Sequence, residues 1–253
     1  MAERTGRGVL VTGGSGGIGQ AIARVFAEQG DRVVVHYATR RKEAEQVVAE
    51  LPGEGHLALG ADLTDPEAVR RLVDQSVAAL GTLDVVVNNA GIEQPHHPIL
   101  DCSYERWQEG LDRMIATMLT GPANVIYCAV QHMRGRGGRV VNISSRGAFR
   151  GEPHIPGYAA AKAGLNALGQ SLAMALGGEG ISVATVAPGF VSAGMADPIL
   201  AGEQGPAIRA QSSFGRVATA EEVAHAVLYL ASEHAEFASG TIIDLNGASY
   251  LRT

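Results

Sequence analysis

The sequence alternates short apolar runs with longer amphipathic stretches, and this alternation constrains the fold more than any other feature. In runs such as Val33-Val34-Val35 and Val85-Val86-Val87 no polar residue interrupts the apolar ones. Strands covered by helices on both faces have this composition, whereas strands with one solvated face alternate apolar and polar residues. The stretches between the runs, such as Pro66–Leu80, repeat apolar residues at three- and four-residue steps, which predicts helices with one buried face.

The order of these elements predicts an α/β fold in which right-handed crossovers build a parallel sheet. We predict strands at 8–12, 32–36, 56–60, 84–88, 139–144, 181–187 and 241–245. Predicted helices include 17–29, 41–51, 66–80, 158–176, 196–211 and 216–230. The expected architecture is a single Rossmann-type domain over residues 1–253, a doubly wound parallel sheet of about seven strands with helices on both faces. Such sheets bind ligands beyond the carboxyl ends of their strands.

Composition excludes several classes of protein. The formal charge of −6 comes without a basic stripe, so nucleic acid is not an expected partner. Cys102 and Cys128 lack metal-ligand spacing, and the adjacent His96 and His97 lack the further ligands of a metal site, so no metal is expected. The apolar N-terminal run is too short for a signal peptide or a membrane span. We therefore expect a cytoplasmic protein without membrane contact.

A glycine-rich turn connects the first predicted strand to the first helix. It reads Thr-Gly-Gly-Ser-Gly-Gly-Ile-Gly and includes Gly13, Ser15, Gly17, Ile18 and Gly19. Glycines let backbone N–H groups approach a pyrophosphate, and the helix N-terminus adds partial positive charge there. A flexible turn is the alternative, but the preceding strand and following helix favour dinucleotide binding.

Four motifs in sequence order resemble the short-chain dehydrogenase/reductase family. They are the spacing of Gly13, Gly17 and Gly19, the segment Asn88-Asn89-Ala90-Gly91, the set Ser145, Tyr158 and Lys162, and the turn Pro188-Gly189. The resemblance covers nearly the whole chain. It implies an oxidoreductase that transfers a hydride between a nicotinamide cofactor and a carbonyl or alcohol.

The end of the second strand bears on the choice of cofactor. NAD-specific folds usually place an acidic residue there, whereas this chain has Tyr37, followed by Thr39, Arg40 and Arg41. A cation would attract a 2′-phosphate. The arginines could instead begin a solvated helix, and Gly16 stands where the family often has a basic residue. We predict NADP(H), with NAD(H) as the alternative.

The resemblance also implies further cofactor contacts. It places Asp62 near the adenine and Lys162 on the nicotinamide ribose. The remaining cofactor residues that it implies are Leu63, Asn89, Ala90, Gly91, Tyr158, Pro188, Gly189 and Val191.

Tyr158 and Lys162 are four residues apart on a predicted helix and therefore share one face. An ammonium favours the phenolate form of a nearby tyrosine, which can then exchange a proton with a substrate oxygen near neutral pH. Ser145 ends a strand, where its hydroxyl could stabilise the developing oxyanion. Ser144 is the alternative, but the spacing to Tyr158 favours Ser145.

One residue departs from the family pattern. The segment Met118-Leu119-Thr120-Gly121 corresponds to a family segment that begins with asparagine, which holds a water for proton relay. A thioether cannot donate a hydrogen bond. Either another group, such as Thr117 or backbone carbonyls, serves the relay, or turnover is slow. The alternative function is an NADP(H)-binding sensor or scaffold with weak catalysis.

The substrate and the assembly are inferred from resemblance. Reductases of 3-oxoacyl groups, and sugar or alcohol dehydrogenases, are the nearest types. Epimerases and dehydratases of the extended branch are a weaker alternative because no C-terminal substrate domain is present. A substrate lid is expected at about 192–215. Ala193 stands where the family has a cofactor-binding threonine, so either the adjacent Ser192 substitutes or that contact is lost. Arg146, Arg150 and His154 either recognise a polar or anionic substrate or make surface or subunit contacts, and the second interpretation is favoured. The expected assembly is a homotetramer or homodimer.

Overall fold

The computed structural model describes residues 6–92 and 96–252. In these residues the main strands and helices follow the predicted order. The strands are β1 Gly8–Val11, β2 Arg32–Tyr37, β3 Leu57–Gly60, β4 Val85–Asn88, β5 Gly138–Ile143, β6 Ile181–Pro188, β7 Val191–Ser192, β8 Ala218–Thr219 and β9 Ile242–Leu245. The α-helices are α1 Gly17–Glu28, α2 Arg41–Glu50, α3 Pro66–Leu80, α4 Tyr104–Ile115, α5 Gly121–Met133, α6 Gly147–Arg150, α7 Pro156–Leu176, α8 Asp197–Ala201, α9 Gly205–Ala210 and α10 Ala220–Leu230.

Seven of the described strands form one sheet in the order β3-β2-β1-β4-β5-β6-β9, and every neighbouring pair is parallel. The strand order reverses between β1 and β4, which places the expected ligand crevice at their carboxyl ends. The predicted doubly wound Rossmann-type sheet is confirmed.

The two faces of the sheet carry separate apolar layers. Val9, Val33 and Val85 pack under α1, α2 and α10, whereas Leu10 and Val86 pack under α3 and α5. Because side chains alternate between the faces of a strand, the uninterrupted apolar runs supply both layers. Among the described helices, none combines the length and the apolar character that a membrane span requires.

Two predicted helices in the C-terminal third were too long. The helix predicted at 216–230 begins only at Ala220, because Thr219 is extended and accepts a hydrogen bond from Glu222 N, while the Glu222 carboxylate accepts one from Thr219 N. This capping box fixes the helix start, and β8 pairs with β7 just before it. The helix predicted at 196–211 is divided into α8 and α9, where the Gly205 backbone packs against the Leu200 carbonyl oxygen.

Candidate active site

The glycine-rich turn after β1 has a backbone that only glycine accommodates at two positions. Gly13 has φ +64°, and a Cβ there would lie 2.7 Å from Ala90 Cα. A Cβ on Gly19 would overlap the Gly13 carbonyl oxygen. The turn is therefore packed against the segment after β4 and runs directly into α1. Its open side presents a helix N-terminus, which suits a pyrophosphate.

A buried histidine of β2 holds the turn from below, and sequence analysis did not identify it as part of the site. His36 Nδ1 accepts a hydrogen bond from Gly13 N at 3.0 Å, so Nε2 carries the proton and donates to Ala61 O at 3.0 Å. Burial lowers the pKa of His36 to about 4. The neutral imidazole is thus the form that links the turn to the residue after β3. The signal in the sequence was the polar His36 directly after the apolar run Val33-Val34-Val35.

The segment after β4 holds the turn from the side. Asn89 Nδ2 donates to the carbonyl oxygens of Thr12 and Gly13 at 3.0 and 3.1 Å. In return, Thr12 Oγ1 accepts hydrogen bonds from the backbone N–H groups of Asn89 and Ala90. These reciprocal bonds join the first and fourth strands at the switch point of the sheet, and Gly91 continues the chain from there.

The Arg40 guanidinium lies beside the glycine-rich turn. A Cβ on Gly16 would be 3.6 Å from Arg40 Nη1, and the Tyr37 ring packs on Gly60 near the end of β2. Arg41 is engaged elsewhere, because its Nε donates to Glu45 at 2.8 Å. Within the described ranges, no carboxylate lies within 4.0 Å of the Arg40 guanidinium. The Arg40 guanidinium therefore supplies positive charge beside Gly16, a position that has no side chain of its own.

Residues after β3 complete this end of the crevice. The Asp62 carboxylate accepts hydrogen bonds from Thr64 N and Oγ1 at 2.9 and 2.7 Å, and these bonds hold the pKa of Asp62 below its usual range. Leu63 is buried against α5, where a Cβ on Gly121 would be 2.9 Å from its carbonyl oxygen. Asp62 is thus an exposed, fixed carboxylate, as adenine recognition would require.

Tyr158 and Lys162 lie on the face of α7 that meets the sheet. Lys162 is buried, and its Nζ donates to Ile143 O at 2.7 Å. The same Nζ is 5.9 Å from the centroid of the Tyr158 ring. Burial lowers the pKa of Lys162 to about 8, so the ammonium remains the major form at neutral pH. The two side chains can therefore act as a pair.

The two serines after β5 have different surroundings. Ser144 is buried, and its hydroxyl donates to the Lys162 carbonyl oxygen at 3.4 Å. Ser145 is half-buried, and its Oγ accepts a hydrogen bond from Gly147 N at 3.0 Å, which leaves its hydroxyl hydrogen available to a ligand. This difference favours Ser145 over Ser144 as the oxyanion partner.

His97 caps the helix that carries Tyr158. It is fully buried, its Nε2 accepts a hydrogen bond from Gly157 N at 3.1 Å, and its ring meets Trp107 edge-on. The cap satisfies a backbone N–H in the first turn of α7, next to Tyr158. His96 instead stacks on His154. In the part of the chain that the structure describes, no cluster of three His, Cys, Asp or Glu side chains is suited to a metal ion.

Met118 lies in a π-helical turn, Ala116–Thr120, between α4 and α5. Its side chain is buried with Ala161 and packs near Tyr158. A π-helical turn inside a longer helix often marks a functional site. Met118, at the position where the family has a polar relay residue, is therefore close to Tyr158 but apolar. Thr117 beside it is also buried.

The turn after β6 closes the site on the side of the predicted lid. Gly189 N donates to Leu245 O at 2.9 Å, and a Cβ on Gly189 would be 3.1 Å from Asn246 Cβ. Val191 is buried, Ser192 is exposed, and a Cβ on Gly17 would be 3.9 Å from Ala193 Cβ. Ala193 is thus the residue of this segment that lies against the glycine-rich turn, and Ser192 beside it is exposed.

A buried polar row lies beneath the site. It consists of Thr12, directly after β1, and of Asn88, Asn142 and Thr185 on β4, β5 and β6, and Asn88 Nδ2 donates to Asn142 Oδ1 at 2.9 Å. Asn166, one turn beyond Lys162, is buried, and its amide has no hydrogen-bond partner among the described residues. Buried amides of this kind usually bind ordered water.

Arg146, Arg150 and His154 do not gather around Tyr158 as an anion-recognition set. Arg146 is buried with Phe190, Arg150 pairs with Glu152 at 3.1 Å, and His154 stacks on His96. Arg150 and His154 are exposed, as the favoured interpretation of surface or subunit contacts expects, whereas Arg146 is buried and does not fit a surface contact.

Comparison with known proteins gives full-length matches. A family model described as Enoyl-(Acyl carrier protein) reductase matches residues 13–247. The 3-oxoacyl-(acyl-carrier-protein) reductase FabG of Staphylococcus aureus is 36% identical, and the match covers 97% of this chain and 98% of the relative. The cis-4-hydroxycyclohexanecarboxylate dehydrogenase of Sinomonas cyclohexanicum is 38% identical, over 98% of this chain and 96% of the relative.

Solved structures also match over the full length. A dehydrogenase/reductase from Sinorhizobium meliloti superposes with a TM-score of 0.88 at 32% identity, covering 98% of this chain and 96% of the other. A short chain dehydrogenase from Burkholderia cenocepacia, solved in complex with NADP, gives a TM-score of 0.86 at 32% identity, covering 97% and 98%.

Proposed function

Because this chain belongs to the short-chain dehydrogenase/reductase family, we propose that it is an NADP(H)-dependent enzyme that uses Tyr158 as its general acid and base. The chain is an oxidoreductase that acts on CH–OH or C=O groups. The single observation that carries the assignment of residues is the pairing of Tyr158 with the buried, still charged Lys162 beside the carboxyl ends of the strands.

The residues fit a dinucleotide. Gly13 and Gly19 let the glycine-rich turn pack closely on the segment after β4, and the N-terminus of α1 follows the turn directly. We assign the cofactor contacts to the residues of this turn and of the segments after β2, β3, β4 and β6 that the resemblance implies. When bound, the nicotinamide supplies or accepts the hydride.

The chain's own residues manage the proton and the charge. In the reducing direction the Tyr158 hydroxyl gives its proton to the substrate oxygen, and the Ser145 hydroxyl donates a hydrogen bond to that oxygen. The Lys162 ammonium stabilises the phenolate that remains, and we assign it also to the ribose hydroxyls of the cofactor. The Ile143 carbonyl oxygen fixes the position of Nζ. In the oxidising direction the same steps run backwards.

Proton return to Tyr158 requires a route other than a side chain at position 118. We propose that water next to Lys162 carries this proton, with the Ile143 carbonyl oxygen holding Nζ in place as acceptor, whereas Thr117 is buried in the π-helical turn. Asn166 extends the polar path beyond Lys162.

The matched relatives favour a reductase of 3-oxoacyl groups or a dehydrogenase of cyclic or simple alcohols as the specific activity. We also propose that the chain is one domain with a lid at 192–215, acts in the cytoplasm and assembles as a homotetramer or homodimer. The outward face of α7 supports assembly, because the only charged residue of that helix, Lys162, is buried.

The test is Tyr158→Phe, assayed by NADPH oxidation over a panel of 3-oxoacyl thioesters, cyclic ketones and sugars. We expect turnover to fall by at least about a hundredfold, the usual scale of general acid catalysis, while NADPH affinity measured by titration changes little. Full activity in the variant would exclude this role for Tyr158.

The buried Met118 favours a second candidate, an NADP(H)-binding sensor or scaffold. The same panel separates the two functions. Tight NADPH binding by the unmodified protein, without turnover of any substrate, would support the sensor, whereas turnover that depends on Tyr158 would exclude it.

A further inference from the structure

A second cavity lies behind the turn that follows β6, away from Tyr158. It is a partly open cavity of about 370 Å³ between that turn, α9 and the segment after β9. None of the residues that we assign to catalysis or to cofactor binding lines it. Its apolar surface includes Phe190, Ile208 and Phe214, and Arg146 is the buried cation in its wall.

Arg146 makes no salt bridge among the described residues, and Glu152, the carboxylate that acts on it at longer range, is already paired with Arg150. Arg146 is 3% exposed, Nη1 donates to Ser249 Oγ, and Nη2 donates to Gln211 Oε1 at 2.6 Å. Both acceptors are neutral, and across the described ranges no carboxylate lies within 4.0 Å of this guanidinium. Burial lowers the pKa of Arg146, yet a guanidinium stays protonated in proteins. An unpaired buried charge is costly, so such a group is normally paired.

The other charged groups of the cavity are already neutralised. Arg216 makes two hydrogen bonds to the Glu222 carboxylate, at 2.6 and 2.8 Å. Asp244 accepts a hydrogen bond from Arg252 Nε at 2.7 Å. Among the described residues that line the cavity, Arg146 therefore carries the one uncompensated charge, and it is positive.

We propose that this cavity binds an organic acid, with its carboxylate on Arg146 and its apolar body against Phe190, Ile208 and Phe214. The guanidinium uses one hydrogen each from Nη1 and Nη2 on protein acceptors, so Nε and the other two hydrogens can bind a carboxylate. Gln211 and Ile208 belong to the lid segment, and Arg146 directly follows Ser145. Occupancy of the cavity is thereby connected to both the lid and the active site.

The proposal is tested by calorimetric titration of the full chain with hexanoate, in the presence and absence of saturating NADPH. Hexan-1-ol and inorganic phosphate serve as probes that lack the charge or the apolar body. We expect saturable binding of hexanoate in both conditions, and binding at least about tenfold weaker for the other two probes.

Variants locate the binding. Arg146→Gln should weaken hexanoate binding by about tenfold or more, whereas Arg70→Gln, which removes a salt-bridged arginine of α3 outside the cavity, should leave it unchanged. Ile208→Trp retains Arg146 but fills the cavity, and should also abolish binding. Absence of saturable binding, including the case in which a second copy of the chain covers the cavity, overturns the proposal. Binding that survives both Arg146→Gln and Ile208→Trp overturns it as well.

Discussion

Arg40 is the residue on which the proposed preference for NADP(H) depends. The sequence has no basic residue at position 16, but the Arg40 guanidinium reaches the space beside Gly16, and among the described residues no carboxylate neutralises it. A 2′-phosphate placed there would gain a charge-assisted hydrogen bond, and a 2′-hydroxyl would gain little. The predicted preference for NADP(H) rests on this residue, for which the sequence left the start of a solvated helix as the alternative role.

We expect Arg40→Gln to reduce kcat/KM for NADPH by about tenfold or more and to change that for NADH little. Arg41→Gln is the matched control, because Arg41 is exposed and paired with Glu45. The measurement is steady-state kinetics with both cofactors and one substrate. An equal loss with NADPH and NADH would contradict the assignment of Arg40 to the 2′-phosphate.

His36 gives the fold a pH dependence that can be isolated. Its pKa falls from 6.5 to about 4 on burial, so the unfolded chain binds a proton that the native protein does not between these values. Stability therefore decreases as the pH falls through this window, by about 2 kcal/mol between about pH 7 and about pH 5. Other titratable groups also make stability depend on pH, and a substitution of His36 leaves their contributions unchanged.

Between about pH 7 and about pH 5 the free energy of unfolding should decrease in both proteins. We expect this decrease to be about 2 kcal/mol smaller in His36→Gln than in the unmodified protein. Urea denaturation at both pH values measures the difference. The exposed His225→Gln should retain the dependence of the unmodified protein. Equal pH dependence in His36→Gln and the unmodified protein would show that folding does not lower the pKa of His36.

At the scale of elements, the sequence predicted the strands of the main sheet, whose patterns are local. It did not predict contacts between side chains that lie far apart in the sequence. The apolar runs located all seven strands of the main sheet within one or two residues, because burial on two faces leaves a direct trace in composition. The cap that His97 provides to α7 has no such trace, since the residues lie 60 positions apart. The capping box formed by Thr219 and Glu222 is a local sequence pattern that could have been recognised. The predicted helix start at 216 was therefore too early for a reason that the sequence itself contains.

The π-helical turn at Ala116–Thr120 makes a prediction about rate. If proton return limits turnover, Met118→Asn should raise kcat severalfold and reduce the solvent deuterium isotope effect, because an amide can accept and donate. The same change should lower stability by about 1 to 3 kcal/mol, since it buries a polar group. Met114→Asn, in the same apolar cluster, should lose stability without a gain in rate. An unchanged kcat and isotope effect in Met118→Asn would show that position 118 does not limit the relay.

At the scale of the whole molecule, α7 connects the active site to the expected assembly. Its inner face carries Tyr158 and Lys162, and its outer face ends at Met174, which is 88% exposed. A largely apolar helix face in water usually marks an interface. Sequence resemblance implied an oligomer but could not show which surface forms it. The exposed face of α7 is known only once the structure shows which face of the helix packs against the protein.

We expect Met174→Glu to shift the protein toward smaller species in sedimentation velocity, because it places a charge in the proposed interface. Gln46→Glu adds the same charge on exposed α2 and should leave the sedimentation coefficient unchanged. Identical sedimentation of Met174→Glu and the unmodified protein at micromolar concentration would remove this face from the interface.

The bonds that join α7 to β5 have a mechanical consequence. Lys162 Nζ bonds to the backbone of the strand, and the Ser144 hydroxyl bonds to the backbone of the helix, so each element holds the other through a side chain. Helix and strand should therefore shift as one rigid block during turnover. Any widening that admits a bulky substrate must come from the opposite wall, where the chain between β7 and β8 is built from short helices.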